Sequence, residues 1–431
     1  MRFLLTLFSI SLSGAADDSF VLRNVTIHPV NGAVVENGTL VVVDGKIASM
    51  GGAKAAAPKG VKVIDGKGLQ VWPGMINCAT QMGISEVGSV RDVNDANEIG
   101  EFVPQVRSIV AVNVESDHIP VTRVNGITSV LSLPASFGGG GGRGGGSAGI
   151  IRGQAALIRM DGWTWEEMEI NRSAGMMLRW PSMTTRAFTL EGVVTTPFAE
   201  ARRTYDDEKR KIEEFFELSR RYQRAKASPG AGFKADMVFE AMLPVLEGKE
   251  PLLVAAERER TIREVVEFGE KQKVRVVLFG VKKPGAMLAA LAEKKIPVVV
   301  AQTTEIPLDE DDAYDAPFTL PSELKKAGVK FAFATYDNQF ARNLPYEAAY
   351  AVAYGLAHDD AMRALTLDAA EIFGAGAQTG SIEAGKWADL MVTNGDPLEV
   401  ETQVRMLFIK GRNVSLETKH TRLYKKYLDR E

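Results

Sequence analysis

The sequence has 431 residues, 51 of them basic and 55 acidic, for a formal charge of −4. That length accommodates one large α/β domain with a smaller one beside it. Mild acidity with the two signs interspersed implies no general affinity for nucleic acid or anionic membranes.

Residues 1–16 carry one basic residue, Arg2, then a short apolar core, then small residues before Asp17 and Asp18. This is the pattern of a secretory signal peptide. The apolar run is too short to span a bilayer, and no later stretch is uncharged for long enough. The expectation is an exported protein without a membrane span. Cys78 is the single cysteine, so an intrachain disulfide and a thiolate metal cluster are excluded. Export without disulfides points to a bacterial periplasm more than to a disulfide-rich extracellular setting.

Residues 17–72 read as a small all-β unit. Residues 20–27 alternate like a strand, and a β-branched run, Asp44-Gly45 and Lys46-Ile47 make a hairpin signal. Residues 62–68 repeat the pattern. The partner strands come from far away, at 387–392 and 404–412, each beside turn residues and without a nearby helix. Residues 380–415 are therefore expected to return to the N-terminal unit and complete a composite β-sandwich. A charged tail follows at 416–431.

Between these parts, residues 73–379 alternate strands and helices. Strands are expected at 127–133, 252–256, 274–279, 296–301 and 329–335, with helices at 260–272 and 286–293. Strands joined by crossover helices imply a parallel sheet, and some 300 residues of the pattern suit a (β/α)8 TIM-like barrel. Two inserts stand out. Residues 138–149 are nearly all glycine, with Arg143 in the middle, and no Lys-Ser/Thr follows as a phosphate loop needs. That tract reads as an insertion at a loop tip. Residues 206–226 form a charged amphipathic helix with Ile212, Phe215, Phe216 and Tyr222 on one side, an outer helix of the barrel. Trp163-Thr164-Trp165 makes a dense aromatic site, read as core or interface packing in preference to a ligand pocket.

The stretch Pro73-Gly74-Met75-Ile76-Asn77-Cys78-Ala79-Thr80-Gln81, the split sheet and the motif Gly380-Ser381-Ile382-Glu383-Ala384-Gly385-Lys386-Trp387-Ala388-Asp389-Leu390 together resemble the amidohydrolase superfamily, nearest to its exported imidazolonepropionase-like and dipeptidase-like members. Thr366-Leu367-Asp368-Ala369-Ala370 resembles a further helix motif of the family, with Asp for Asn and Ala for Pro. The resemblance implies hydrolysis of a carbon–nitrogen bond in a small substrate by a hydroxide on zinc or another divalent ion. It places ligands in a His-x-His pair on the first barrel strand, a lysine or glutamate on the fourth, histidines on the fifth and sixth, and an aspartate after the eighth.

The two first-strand positions are Ala79 and Gln81. The fifth strand is expected to end at Val254-Ala255-Ala256-Glu257 and the sixth at Leu278-Phe279-Gly280, both without histidine. The four histidines, His28, His118, His358 and His420, all lie away from expected strand ends. Asp337, after the eighth strand, matches the family's aspartate and is the catalytic candidate. Gln81, Glu86, Glu257 and Glu305 are pocket candidates near the C-terminal ends of strands, where barrel sites form. No metal ligand set and no cofactor is expected.

Three readings stand open: a binding protein or subunit, as a homo-oligomer or beside an active amidohydrolase relative; a hydrolase with a carboxylate-based metal site, favouring magnesium, calcium or manganese; and metal-free acid/base hydrolysis. Strand alternation from Ala79 and Gln81 pointing inward directs Cys78 and Thr80 outward to the helices, with Cys78 a structural cysteine.

Overall fold

The computed structural model describes residues 18–52, 60–88, 90–96, 98–135, 149–183, 185–189, 192–230, 232–428 and 430. The signal-like stretch at 1–16, and the glycine tract except Gly149, lie outside the described residues.

The chain opens with β1 (Phe20–Ile27), β2 (Val35–Val43), β3 (Lys46–Gly51), β4 (Lys62–Asp65) and β5 (Gln70–Pro73). Asp44 and Gly45 both take left-handed backbone, φ 50° and 74°, as a two-residue hairpin loop requires. A Cβ on Gly45 would stand 2.4 Å from the Lys410 carbonyl oxygen, so glycine there also admits the C-terminal strands.

The barrel follows. Its first three strands are β6 (Met75–Thr80), β7 (Ile127–Ser132) after the short helix α1 (His118–Arg123), and β8 (Ile151–Arg159). Next come the single turn α2 (Trp165–Met168), β9 (Glu169–Leu178), an outlying hairpin of β10 (Arg186–Thr189) and β11 (Gly192–Thr195), the helices α3 (Phe198–Ala227) and α4 (Met237–Leu246), and β12 (Leu252–Ala255). Then α5 (Glu259–Gln272), β13 (Val276–Val281), α6 (Met287–Glu293), β14 (Val298–Val300), α7 (Ala316–Ala327) and β15 (Phe331–Ala332) alternate regularly. Three helices, α8 (Leu344–Ala353), α9 (His358–Leu365) and α10 (Leu367–Ile372), lead to β16 (Leu390–Thr393), β17 (Val404–Ile409), β18 (Arg412–Val414) and the terminal α11 (Lys419–Leu428).

The barrel sheet runs β6-β7-β8-β9-β12-β13-β14-β15. It closes through Cys78 N–H donating to the Phe333 carbonyl at 3.3 Å, and through Asn77, whose side-chain amide donates to Thr335 Oγ1 at 2.7 Å and accepts from Thr335 N–H. The expected all-parallel sheet needs one correction: β8 runs antiparallel to both neighbours. The connection from Arg159 to Glu169 is a single helical turn, too short for a crossover, so β8 and β9 form a hairpin. The interior is packed with Leu131, Leu157, Leu253, Val277, Phe279 and Val299, and α10 with Phe373 closes its N-terminal end. Phe373 and Phe279 have ring centroids 6.2 Å apart.

Helix α3 is longer than expected, 30 residues, and buries Tyr205, Ile212, Phe215 and Phe216. Trp165 packs against the core with Arg172 over its ring, whereas Trp163 is 81% exposed, so core packing does not hold for it. Both lie in the β8–β9 connection, at the end of the barrel opposite its C-terminal mouth.

The second sheet, β18-β17-β16-β5-β1-β2-β3 with β4 beside β1, joins both ends of the chain. A bridge between Lys46 and Trp387 folds it back on itself around Phe20, Leu22, Ile27, Leu40, Val42, Val71, Leu390 and Phe408. The two sheets meet at a buried ion pair. Arg159, at the end of β8, lies 3.5 Å from Asp389, just before β16.

A second junction stacks His28 on Trp72, centroids 3.6 Å apart, with His358 edge-on to the same indole and 2.8 Å from Asp396. The Asp396 hydrogen bond holds His358 above its ordinary value of 6.5, so its contribution is full below that value and is lost as pH rises through the raised one. His28 works the other way, since burial holds its imidazole below the ordinary value. Stability is therefore expected to fall on the alkaline side of about 6.5, by less than about 1 kcal/mol because His358 is half exposed. Thermal denaturation across a pH series tests this, and an unchanged alkaline slope in His358→Ala would refute it.

Candidate active site

The C-terminal mouth of the barrel is assembled from the ends of β6, β12, β13 and β14 and from the segment after β15. At β6 the ladder pairs Asn77 with Val130 and Thr80 with Ser132, so β6 holds one residue more than β7 between these points. This bulge resets the alternation. Cys78 and Ala79 both belong to the barrel-interior cluster, which corrects the outward orientation expected for Cys78. Thr80 does not join that cluster, and its hydroxyl donates to the Leu131 carbonyl at 3.1 Å. Cys78 is fully buried, and burial pushes its thiol far up, so it stays a neutral, inert thiol.

Gln81 is half-buried, and its backbone N–H donates to Asn338 Oδ1 at 2.8 Å. Asn338 Nδ2 in turn donates to the Ser85 carbonyl at 2.9 Å. Asn338 thus fastens the segment after β15 to the end of β6. Its neighbour Asp337 is half-buried and accepts the Phe340 N–H at 2.8 Å. One carboxylate oxygen of the catalytic candidate is therefore used to fix a turn.

Two other candidates are brought together by a residue the sequence did not flag. Lys282 Nζ lies 2.6 Å from Glu305 and 3.7 Å from Glu257. Strand β13 runs past its expected end at Gly280 and bulges there: Phe279 pairs with Val299 but Val281 with Val300, and Gly280 has φ 65°. The extra residue turns Lys282 toward the two carboxylates. The bulge also frees the Gly280 N–H from the ladder, and that group donates to the Tyr336 hydroxyl at 2.8 Å. The same hydroxyl lies 3.1 Å from the carbonyl oxygens of Val299 and Val300. Tyr336 itself takes left-handed backbone, φ 54°, which sends its ring across the mouth from the end of β15 to β13 and β14. Burial raises the phenol well above its ordinary value, against a smaller opposite effect of the Gly280 N–H, so it stays protonated as a donor.

Glu86 stands apart from both groups. Its side chain accepts from Asn113 Nδ2 at 3.3 Å and its carbonyl lies 2.9 Å from His118 Nε2. The structure thus joins Glu257 with Glu305, sets Gln81 beside the segment holding Asp337, and leaves Glu86 in the loop after β6. Among the described residues one further acidic group has metal-like spacing, Asp309, Asp311 and Asp312. Two of its members are already neutralised. Arg258 grips Asp309 with two hydrogen bonds of 2.7 and 2.8 Å, Lys283 bonds both Asp309 and Asp312, and together they hold Asp309 down at about 2.

Residues 291–414 match the amidohydrolase family model. Over 408 residues the chain is 25% identical to amidohydrolase tasK of Hapsidospora irregularis, covering 88% of this chain. The chain spans 39% of that relative's length. The fold superposes on an amidohydrolase from Thermotoga maritima MSB8 with TM-score 0.76 and 23% identity, over 92% of this chain and 99% of that one. The chain has the amidohydrolase fold, and its residues 291–414 match the family's sequence pattern. A prolidase bound to N-methylphosphonate-L-proline shares the fold at TM-score 0.55 and 17% identity, over 92% of this chain and 99% of that one.

The residues at the mouth of this barrel are a poor donor set for a catalytic divalent ion. Ala79 offers no donor atom, and an amide such as Gln81 is a poor zinc ligand. Glu257 and Glu305, the carboxylates at the fifth and seventh strand ends, share the ammonium of Lys282. An ion bound by them would sit against a positive charge.

Proposed function

We propose that this protein is a binding member of the amidohydrolase superfamily that does not perform metal-dependent hydrolysis. The observation that carries the reading is Lys282: its ammonium stands between the acids at the mouth and satisfies them as a cation would. Tyr336 supports it, since its hydroxyl is committed to backbone groups of β13 and β14 and its ring lies across the opening. What remains for a small ligand is a rim of Lys282, Glu305, Gln81 and Asp337, suited to charged and amide groups.

The test loads purified full-length protein with zinc or manganese, dialyses it, and measures both retained metal and turnover of dipeptide and cyclic-amide substrates. No stoichiometric metal and no turnover are expected. Stoichiometric metal with turnover would overturn the proposal. Turnover without metal that disappears in Asp337→Ala would overturn it in favour of acid/base hydrolysis by that carboxylate.

A further inference from the structure

Helix α11 (Lys419–Leu428) reads Lys-His-Thr-Arg-Leu-Tyr-Lys-Lys-Tyr-Leu and buries none of its residues. Thr418 caps it: its hydroxyl oxygen accepts the Thr421 N–H at 3.1 Å, and the Thr418 N–H donates to the Thr421 hydroxyl. Lys419 anchors its first turn to Asp117 at 3.0 Å. Beyond that anchor the helix presents two distinct sides. At about 100° per residue, Leu423, Tyr427, Tyr424 and Leu428 fall within an arc of about 140°, which His420 shares. Lys419, Arg422, Lys425 and Lys426 fall on the opposite arc.

The apolar side is open. Leu423 is 39% exposed, Tyr427 50%, Leu428 64% and Tyr424 66%. Such a stripe normally packs on the body of its own protein; here none of its members is buried. The helix contains no acidic residue, although the chain as a whole is net acidic. The positive charge is therefore local to the helix, with Glu417, Asp429 and Glu431 flanking it in sequence, and Arg430 lies over the Tyr427 ring at 4.9 Å.

We infer that α11 is a peripheral membrane contact that lies along an anionic lipid surface. Leucines and tyrosines on one side suit the headgroup–acyl boundary, where a tyrosine keeps its ring in an apolar layer and its hydroxyl in a wet one. Arg422, Lys425 and Lys426 on the other side and its flanks supply attraction to acidic headgroups, Lys419 being paired with Asp117. An apolar protein groove would match the stripe, but it would leave the run of cations without a counterpart, and this favours the lipid surface. The contact is one of adsorption, consistent with the finding that no described helix is long and apolar enough to cross a membrane.

Co-sedimentation of the full chain with vesicles tests the inference. Vesicles containing phosphatidylglycerol are expected to retain at least about tenfold more protein than pure phosphatidylcholine vesicles. Lys425→Glu/Lys426→Glu and, separately, Leu423→Gln/Leu428→Gln are each expected to reduce retention to the phosphatidylcholine level. Both pairs are exposed, and an unchanged melting temperature confirms that the variants are folded. Equal retention by both lipids, no retention at all, or retention that survives either double substitution would overturn the inference. A soluble protein captured by α11 in the absence of vesicle binding would overturn it in favour of a groove-type partner. None of these outcomes depends on whether the barrel hydrolyses anything.

Discussion

Asp389→Ala is expected to lower the unfolding free energy by about 3–5 kcal/mol, the usual cost of removing one partner of a buried ion pair. Arg159 is 1% exposed and Asp389 2%. The carboxylate does more than pair with the guanidinium. It accepts Thr379 Oγ1 and the Lys410 N–H, both at 2.9 Å, while the Asp389 backbone carbonyl accepts the Gly74 N–H at 2.9 Å. One residue therefore ties the barrel, through β8 and the entry to β6, to the strands that return from the C-terminus. Its loss would leave a buried guanidinium that keeps its hydrogen bond to the Glu169 carbonyl but has no counter-charge. Arg159→Met should cost less, because the carboxylate keeps two hydrogen bonds and methionine fills much of the space. Urea denaturation followed by circular dichroism measures both. A loss in Asp389→Ala below about 1 kcal/mol, the range of an exposed pair, would show that this junction does not hold the sheets together.

That pair explains why some of the architecture could be read in the sequence and some could not. Asp389 sits in a recognisable motif, and the β-branched strand beside it announces β16. Its partner Arg159 lies 230 positions earlier, in a strand whose direction depends on a loop length. The barrel strands β7, β12, β13, β14 and β15 are legible because each is a short β-branched or apolar run ended by turn residues or a charged helix. The mouth is less legible because bulges place its side chains. Alternation across residues 75–81 assumes a regular ladder, and one extra residue at Cys78-Ala79 defeats it. The same event at Gly280 brings Lys282 to Glu257 and Glu305. A glycine inside an apolar strand followed by Val281-Lys282-Lys283-Pro284 was the available signal, since interior glycines often mark bulges. Tyr336 left no such sign, because its reach across the barrel depends on a left-handed backbone that tyrosine rarely adopts.

Glu347→Ala is expected to destabilise the protein by about 2–4 kcal/mol and to loosen the mouth selectively. Glu347 is a charged residue on α8 that is only 2% exposed. Its carboxylate accepts the Thr303 N–H at 2.6 Å, the Thr303 hydroxyl at 2.7 Å, the Thr304 N–H at 3.2 Å and the Thr304 hydroxyl at 2.8 Å. Donors of Thr303 and Thr304 in the loop after β14 converge on one side chain, and alanine would leave the buried Thr303 N–H without an acceptor, while the Thr303 hydroxyl keeps the backbone carbonyl of residue 347 at 2.8 Å. That loop continues directly to Glu305, so Glu347 acts on the mouth by positioning the carboxylate that holds Lys282. Glu347→Gln keeps the shape but turns one acceptor into a donor facing other donors, and an intermediate loss is expected. The melting temperature reads the global effect, and limited proteolysis between residues 301 and 316 reads the local one. If Glu347→Ala melts early without faster cleavage in that loop, the carboxylate supports the helix layer only. Early melting with preferential cleavage there would place Glu347 as the anchor of the Lys282–Glu305 side of the mouth.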